Sequence, residues 1–273
     1  MKTETKPLGV FRLTSCKYGI SRVPFRGPVR PTGGRFVAFL GGSETFAKYV
    51  PRPFPDLVET AIGEVCINLG CQSAGPDVFL HDTAVQALCH DAALTVIQVM
   101  GAAHLTNRFY KVHPRRNDRF IAPSAALKAL YSEVDFTEFA FVGHLLRKLH
   151  DVDADRFVQV RKVLEATWVR RMKALVGKTR GPVLLLWFAA RLPDDTEDMP
   201  GTAAGAPLFV TSAMLEQLRA YVDEVIEVVA PCGDTSGMVH APLEQIAAQE
   251  MQGVAAHEAA AKALRGPVRV GLA

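Results

Sequence analysis

The sequence predicts an α/β fold in which helices cover both faces of a mainly parallel sheet. Short, almost continuously apolar runs each end at small or polar residues, and helix-compatible stretches separate them. Continuous apolar character is expected of strands that are buried on both faces. Regular alternation of strands with helices implies right-handed crossovers, which make neighbouring strands parallel. We therefore expect a three-layer α/β/α domain with a five-stranded sheet.

Each predicted element follows from hydrophobic periodicity. The predicted strands occupy residues 35–40, 64–69, 94–100, 182–190 and, more weakly, 225–229. The predicted helices occupy residues 56–62, 83–90, 155–176 and 212–221. In the longest of these helices Phe157, Val160 and Leu164 recur at helical spacing, so one face should pack on the sheet.

Two regions interrupt the alternation of strands and helices. Residues 1–34 are rich in Arg, Pro and Gly, and we expect an extended N-terminal arm that packs across a single domain formed by residues 35–273. Residues 102–153, approximately, separate the third strand from its long helix and predict a helical insertion beside the site. Residues 194–206 predict a mobile polar loop.

Composition excludes several classes of protein. A net charge of +3 is too small to indicate a nucleic-acid partner, and no apolar run reaches the length that crosses a bilayer. The first ten residues lack the apolar segment of a secretory signal. Five cysteines without metal-type spacing favour reduced thiols in a cytoplasmic protein. We expect no membrane partner, no metal and no cofactor.

Ser43 is the leading candidate for a reactive group. It follows Gly41 and Gly42 at the end of the first strand and precedes a helix-compatible segment, an arrangement that exposes the hydroxyl. The free backbone N–H groups at the start of such a helix bind anions or a developing oxyanion. The alternative is that Ser43 is a helix N-cap, which is a common role for serine.

Other candidates follow later strands, at the sheet edge where open α/β sheets bind ligands. Gly70 follows the second strand, and Asn107 follows the third, where its amide is a potential oxyanion donor. His240, in the loop after the fifth strand, is the preferred general base, and His257, in the Ala-rich run 254–264, is the second choice. The alternatives are a local cap for Asn107 and solvent-facing positions for both histidines.

In the order Ser43, Gly70, Asn107 and His240 the chain resembles the SGNH or GDSL-type hydrolases, a flavodoxin-like superfamily of esterases, lipases and acetylesterases. The resemblance implies that Ser43 is the nucleophile and that its own N–H, the Gly70 N–H and Asn107 form the oxyanion hole. It also implies that His240 is the general base. The implied function is a divergent serine esterase or deacylase that forms an acyl-serine intermediate.

Two departures from the family pattern favour a second hypothesis. Gly42 stands where the family has the aspartate before the serine, and Gly237 stands where an aspartate precedes the histidine by three residues. A chain that keeps the fold and pocket without the acid of the triad is expected to be a catalytically inactive binding module. The chain is also similar to an uncharacterised bacterial family in residues 41–46 and 107–120.

A basic stretch suggests the class of ligand. Residues 107–119 contain Arg108, Arg115 and Arg116 among aromatic residues, and arginine binds phosphate, carboxylate or sulfate groups through paired hydrogen bonds. Because the stretch follows the third strand, we expect a small anionic or sugar-linked substrate near it. The alternatives are a solvated insertion and a transferase of sulfate or acyl groups; RNA binding is a more remote hypothesis.

Overall fold

The computed structural model describes residues 13–194 and 206–273. The strands in this part of the chain are β1 (Ser15–Cys16), β2 (Phe25–Arg26), β3 (Phe36–Gly41), β4 (Val65–Gly70), β5 (Leu94–Gln98), β6 (Tyr110–His113), β7 (Arg116–Pro123), β8 (Val183–Ala189) and β9 (Glu224–Val229). The α-helices are α1 (Ser43–Phe46), α2 (Phe54–Ile62), α3 (Pro76–Leu80), α4 (Thr83–Asp91), α5 (Ala125–Leu130), α6 (Val142–Val152), α7 (Ala154–Val176), α8 (Ser212–Glu216), α9 (Gln245–Gln249) and α10 (Val254–Leu272).

The main sheet has the strand order β4-β3-β5-β8-β9, and every neighbouring pair is parallel. This confirms the predicted α/β/α fold, and each strand lies within two residues of its predicted bounds. The order corresponds to the 2-1-3-4-5 arrangement, in which the chain reverses its winding direction between the first and third strands. That reversal opens a crevice at the carboxyl ends of β3 and β5.

The two faces of the sheet carry separate apolar cores. Phe36 and Leu40 of β3 belong to one cluster, and Val37 and Phe39 belong to the other, because successive side chains of a strand point to opposite faces. The first cluster includes the predicted apolar face of α7, and the second includes apolar residues of α2 and α10. These layers explain why the strand sequences are apolar at nearly every position.

The insertion contains a β-hairpin in addition to its helices. β6 and β7 pair antiparallel around a turn at Pro114 and Arg115, before α5 and α6 begin. Only Tyr110, Lys111 and Val112 alternate between buried and exposed, and the register shifts within β6. So short an alternation is a weak strand signal, and the sequence analysis therefore missed this hairpin.

Arg26 of β2 anchors the described part of the N-terminal arm to the end of α1 and the segment that follows it. Its buried guanidinium donates to the carbonyl oxygens of Phe46 at 3.0 Å, Ala47 at 2.5 Å, Val50 at 2.8 Å and Pro51 at 3.0 Å. Because these carbonyls lie just after the Ser43 turn, the arm supports that turn from behind.

No helix in residues 13–194 or 206–273 is long and apolar enough to cross a membrane. The predicted loop at residues 194–206 lies mostly outside the described residues.

The Arg26 contacts predict a large loss of stability in an Arg26→Met variant. Methionine keeps an apolar stem but leaves buried carbonyl groups without a charged donor, which should lower the free energy of unfolding by about 3 kcal/mol. Urea-induced unfolding followed by circular dichroism measures the change. Arg22→Met, on the same arm at an exposed position, is the control and should change stability by less than about 0.5 kcal/mol. Equal midpoints for the two variants would contradict the anchoring role.

Candidate functional site

Ser43 is the first residue of α1, a single turn of four residues whose N-cap is Gly42. The alternative that Ser43 caps a helix is wrong, because no side chain caps α1. Instead, the Ser43 Oγ accepts a hydrogen bond from the backbone N–H of Ser73 at 3.1 Å. The hydroxyl therefore joins the loops that follow β3 and β4. One helical turn is too short to provide the predicted anion site at its N-terminus.

Gln98, at the end of β5, fixes the position of the Ser43 turn. Its Oε1 accepts from the Gly42 N–H at 2.8 Å and from Thr45 Oγ1 at 2.9 Å. Its Nε2 donates to Glu44 Oε2 at 3.1 Å and to the carbonyl of Val99 at 3.0 Å. The buried amide thus has partners for both its oxygen and its nitrogen. Sequence analysis passed over Gln98, although a polar residue within an apolar strand run is a detectable signal.

A partly open space, which we call the inner cavity, lies between this turn and the loop near Leu208. Its volume is about 180 Å³. The polar residues that line it in the described part of the chain are Ser43, Glu44, Ser73, Gln98, His104 and Gln252. Its apolar lining includes Val99, Met100, Ala103, Phe188, Pro207 and Leu208. The inner cavity therefore combines one polar wall with an apolar remainder.

A second space, which we call the outer cleft, adjoins the inner cavity at Ser43 and Ser73, because both residues line both spaces. Its volume is about 720 Å³. The basic residues that line it are Arg22, His113, Arg115 and Arg116. Three of these come from the β6–β7 hairpin, so the insertion supplies most of the positive charge beside Ser43.

The two histidines predicted as general bases line neither the inner cavity nor the outer cleft. His240 packs edge-on against Tyr49, with ring centroids 6.1 Å apart, and its Nδ1 lies 3.1 Å from the carbonyl oxygen of Ala241. The structure therefore does not bring His240 to the Ser43 hydroxyl.

His257 lies in the core, so the alternative of a solvent-facing position is wrong. It is 1% exposed, stacks on Phe54 and contacts Phe188 edge-on. Its Nδ1 accepts the backbone N–H of Phe54, the first residue of α2, at 3.2 Å. Burial, together with the charge of Arg26, lowers the pKa of His257 to about 3. The ring is therefore neutral and caps a helix.

Two of the three predicted oxyanion-hole donors, Gly70 and Asn107, have other partners. The Gly70 N–H donates to Asn68 Oδ1 at 2.9 Å, and a Cβ at Gly70 would overlap the backbone of Phe46. Glycine is needed at position 70 because the α1 turn packs directly against it.

Asn107 caps its own loop, as in the local alternative. Its Oδ1 accepts from the Phe109 N–H at 2.8 Å and from the Tyr110 N–H at 3.3 Å, while its Nδ2 donates to the Leu105 carbonyl at 2.9 Å. Arg108 is exposed and lines neither space. The side-chain amide of Asn107 therefore stabilises the loop that leads into β6.

Two titratable residues of the inner cavity were not among the predicted site residues. Burial lowers the pKa of His104, against an opposing effect of the Asp118 charge, so its imidazole is neutral near pH 7. Burial raises the pKa of Glu44, and its hydrogen bond from Gln98 partly opposes this. His104 follows the third strand by only a few residues, so its place in the chain was the signal that could have identified it.

A family model described as a domain of unknown function (DUF6473) matches residues 1–271 of the sequence. The chain belongs to this family. No curated protein matches it. The match agrees with the similarity to an uncharacterised family, and it adds no support for the resemblance to SGNH hydrolases. In the described residues of this DUF6473 protein, no group of three or more His, Cys, Asp or Glu side chains is placed to hold a metal ion.

The environment of His257 predicts a loss of stability in acid. An unfolded histidine takes up a proton below about pH 6.5, whereas the folded His257 stays neutral down to about pH 3. The contribution of the neutral His257 ring to the free energy of unfolding is therefore complete above pH 6.5 and is lost as the pH falls towards 3. Between pH 7.5 and pH 5 this should reduce the free energy of unfolding by about 2 kcal/mol.

The control for this prediction is His257→Gln, which keeps an oxygen acceptor for the Phe54 N–H and does not titrate. Urea unfolding of both proteins at several pH values measures the difference in slope. An identical decline in the two proteins would contradict the assignment of the acid sensitivity to His257.

Proposed function

We propose that the protein binds a small anionic molecule in the outer cleft. The observation that carries this proposal is that Arg22, Arg115 and Arg116 line the same cleft as the Ser43 and Ser73 side chains. No carboxylate is among the described residues that line it. Several guanidinium groups around one cleft attract an anion and bind it through charge-assisted hydrogen bonds.

The hydrogen bonds of the hairpin turn give each basic group a distinct role. His113 Nδ1 accepts the backbone N–H groups of Arg115 at 3.2 Å and Arg116 at 3.1 Å. In the neutral ring the proton is therefore on Nε2, which makes Nε2 a donor. Arg116 forms a salt bridge to Asp118 at 3.2 Å. Arg115 has no side-chain partner among the described residues, so its full charge is available to a ligand.

Arginine substitutions in the hairpin turn test the proposal. Arg115→Ala should weaken the binding of inorganic phosphate about tenfold, because one charge-assisted contact is lost. Arg116→Ala should have a smaller effect, since Asp118 already neutralises part of that charge. Isothermal titration calorimetry at low ionic strength measures both effects, and added salt should weaken binding to the wild-type protein.

A matched control is Arg265→Ala, which removes the same charge from an exposed position of α10. Phosphate affinity should be unchanged in this variant. If Arg265→Ala weakens binding as much as Arg115→Ala does, the attraction comes from the overall charge and the proposed site is wrong.

A second candidate function is that of a divergent SGNH-like serine esterase, acting on an anionic or sugar-linked ester. The observation in its favour is that Ser43 and His104 line one cavity. In this mechanism His104 takes the proton of the Ser43 hydroxyl while Oγ attacks the ester carbonyl, and the proton then passes to the leaving alcohol. Water hydrolyses the acyl-serine intermediate in the second half of the reaction.

Covalent labelling tests the esterase candidate. A fluorophosphonate probe should label Ser43, and the purified protein should hydrolyse p-nitrophenyl acetate. His104→Asn should slow both reactions by at least about 100-fold if the imidazole is the base. Because the pKa of His104 is lowered, the rate should remain constant from pH 8 to below pH 6.5 and fall only in stronger acid. Equal labelling of Ser43→Ala would exclude Ser43 as the nucleophile.

A further inference from the structure

The inner cavity and the outer cleft meet at Ser43 and Ser73. Ser43 and Ser73 line both spaces, and the Ser73 N–H holds the Ser43 Oγ at 3.1 Å. A molecule that occupies both spaces must therefore pass these two side chains. These two residues are therefore the point at which a ligand of the outer cleft would reach the inner cavity.

The two spaces differ in charge. Guanidinium groups line the outer cleft, whereas Glu44 and His104 are the only ionisable groups among the described residues that line the inner cavity. Neither group supplies a positive charge for an anion: the His104 imidazole is neutral, and the Glu44 carboxyl, which accepts from Gln98 Nε2 at 3.1 Å, is not positive in either protonation state. An anionic group is consequently favoured in the outer cleft, and an uncharged group is favoured in the inner cavity.

The remaining wall of the inner cavity is apolar. Met100, Ala103 and Phe188 are each at most 3% exposed. On the opposite side the carbonyl of Leu208 accepts the Ala102 N–H at 2.9 Å, and the carbonyl of Pro207 accepts Arg191 Nη2 at 2.6 Å. These bonds connect the wall to the loop after β5 and to the buried Arg191 side chain.

The volume of the inner cavity limits the size of the uncharged group. Apolar cavities of about 150 Å³ bind benzene, and the inner cavity has about 180 Å³. A phenyl ring or an unbranched chain of about four to six carbons therefore fills it. A longer chain would have to displace the wall at Leu208.

We propose that the ligand is an organic anion with two parts: an anionic head bound in the outer cleft and an uncharged, largely apolar group of about four to six carbons bound in the inner cavity. The bond that joins the two parts lies beside Ser43. This inference rests on the proposed anion binding and specifies the ligand class of that site. It also orients any ester so that the bond to be cleaved faces the hydroxyl.

A series of phosphate monoesters tests the inference. Calorimetry compares inorganic phosphate, methyl phosphate, butyl phosphate and phenyl phosphate on the wild-type protein. Each buried methylene tightens binding by up to about fourfold, so the three extra methylenes of butyl phosphate should tighten binding by about tenfold to sixtyfold relative to methyl phosphate. Phenyl phosphate should behave like the butyl ester.

Two variants separate the head from the tail. Arg115→Ala should weaken every member of the series by the same factor, because it acts on the anionic head alone. Ala103→Leu fills part of the inner cavity and should abolish the preference for the butyl ester while methyl phosphate binds as before. The ester series on the wild-type protein remains decisive even if Ala103→Leu does not fold.

The possible failures are distinguishable. If all four compounds bind with equal affinity, the inner cavity takes no part and this inference is wrong, while anion binding in the outer cleft stands. If neither inorganic phosphate nor any of its esters binds, the proposed function fails and the inference fails with it.

Discussion

The buried amide of Gln98 holds the end of β5 against the turn that carries Ser43. It accepts from Gly42 and Thr45 and donates to Glu44, so one side chain positions three of the four residues that follow β3. Leaving these buried groups without partners would cost more than the bonds themselves contribute. Because β3 and β5 are neighbours where the winding direction reverses, this network determines the shape of the crevice that opens there.

Two buried arginines, Arg26 and Arg191, hold the backbone segments on either side of that crevice. Arg26 binds the carbonyl groups after α1, and Arg191 binds carbonyl groups of the loop that includes Pro207. Both guanidinium groups satisfy backbone carbonyl oxygens at the end of a helix or in a loop. The position of the Ser43 hydroxyl relative to the Leu208 wall therefore depends on residues that touch no ligand. Substitutions of Arg26 or Arg191 should therefore change the geometry of the site and leave its ionisable and nucleophilic groups in place.

Separation of charge organises the site into two compartments with Ser43 at their boundary. Positive groups from the hairpin and the arm surround the outer cleft, and a neutral imidazole and a carboxyl lie in the inner cavity. Anion binding requires only the first compartment. The esterase candidate requires in addition that His104 remove the proton of Ser43, so the two proposals share one geometry and differ in one proton transfer.

The sequence by itself determined the layers and strands, because strands buried on both faces are continuous apolar runs that can be recognised from neighbouring residues alone. It also determined that Ser43 lies at the carboxyl edge of the sheet, since this follows from strand direction alone. Only the tertiary structure decided which side chains meet that hydroxyl. His257 was directed into the core by its contact with Phe54, and His104 and the arginines of the hairpin were brought to Ser43 by the folding of the insertion. Contacts between loops separated by some sixty to two hundred residues depend on packing and closure of the whole chain, and no local periodicity encodes them.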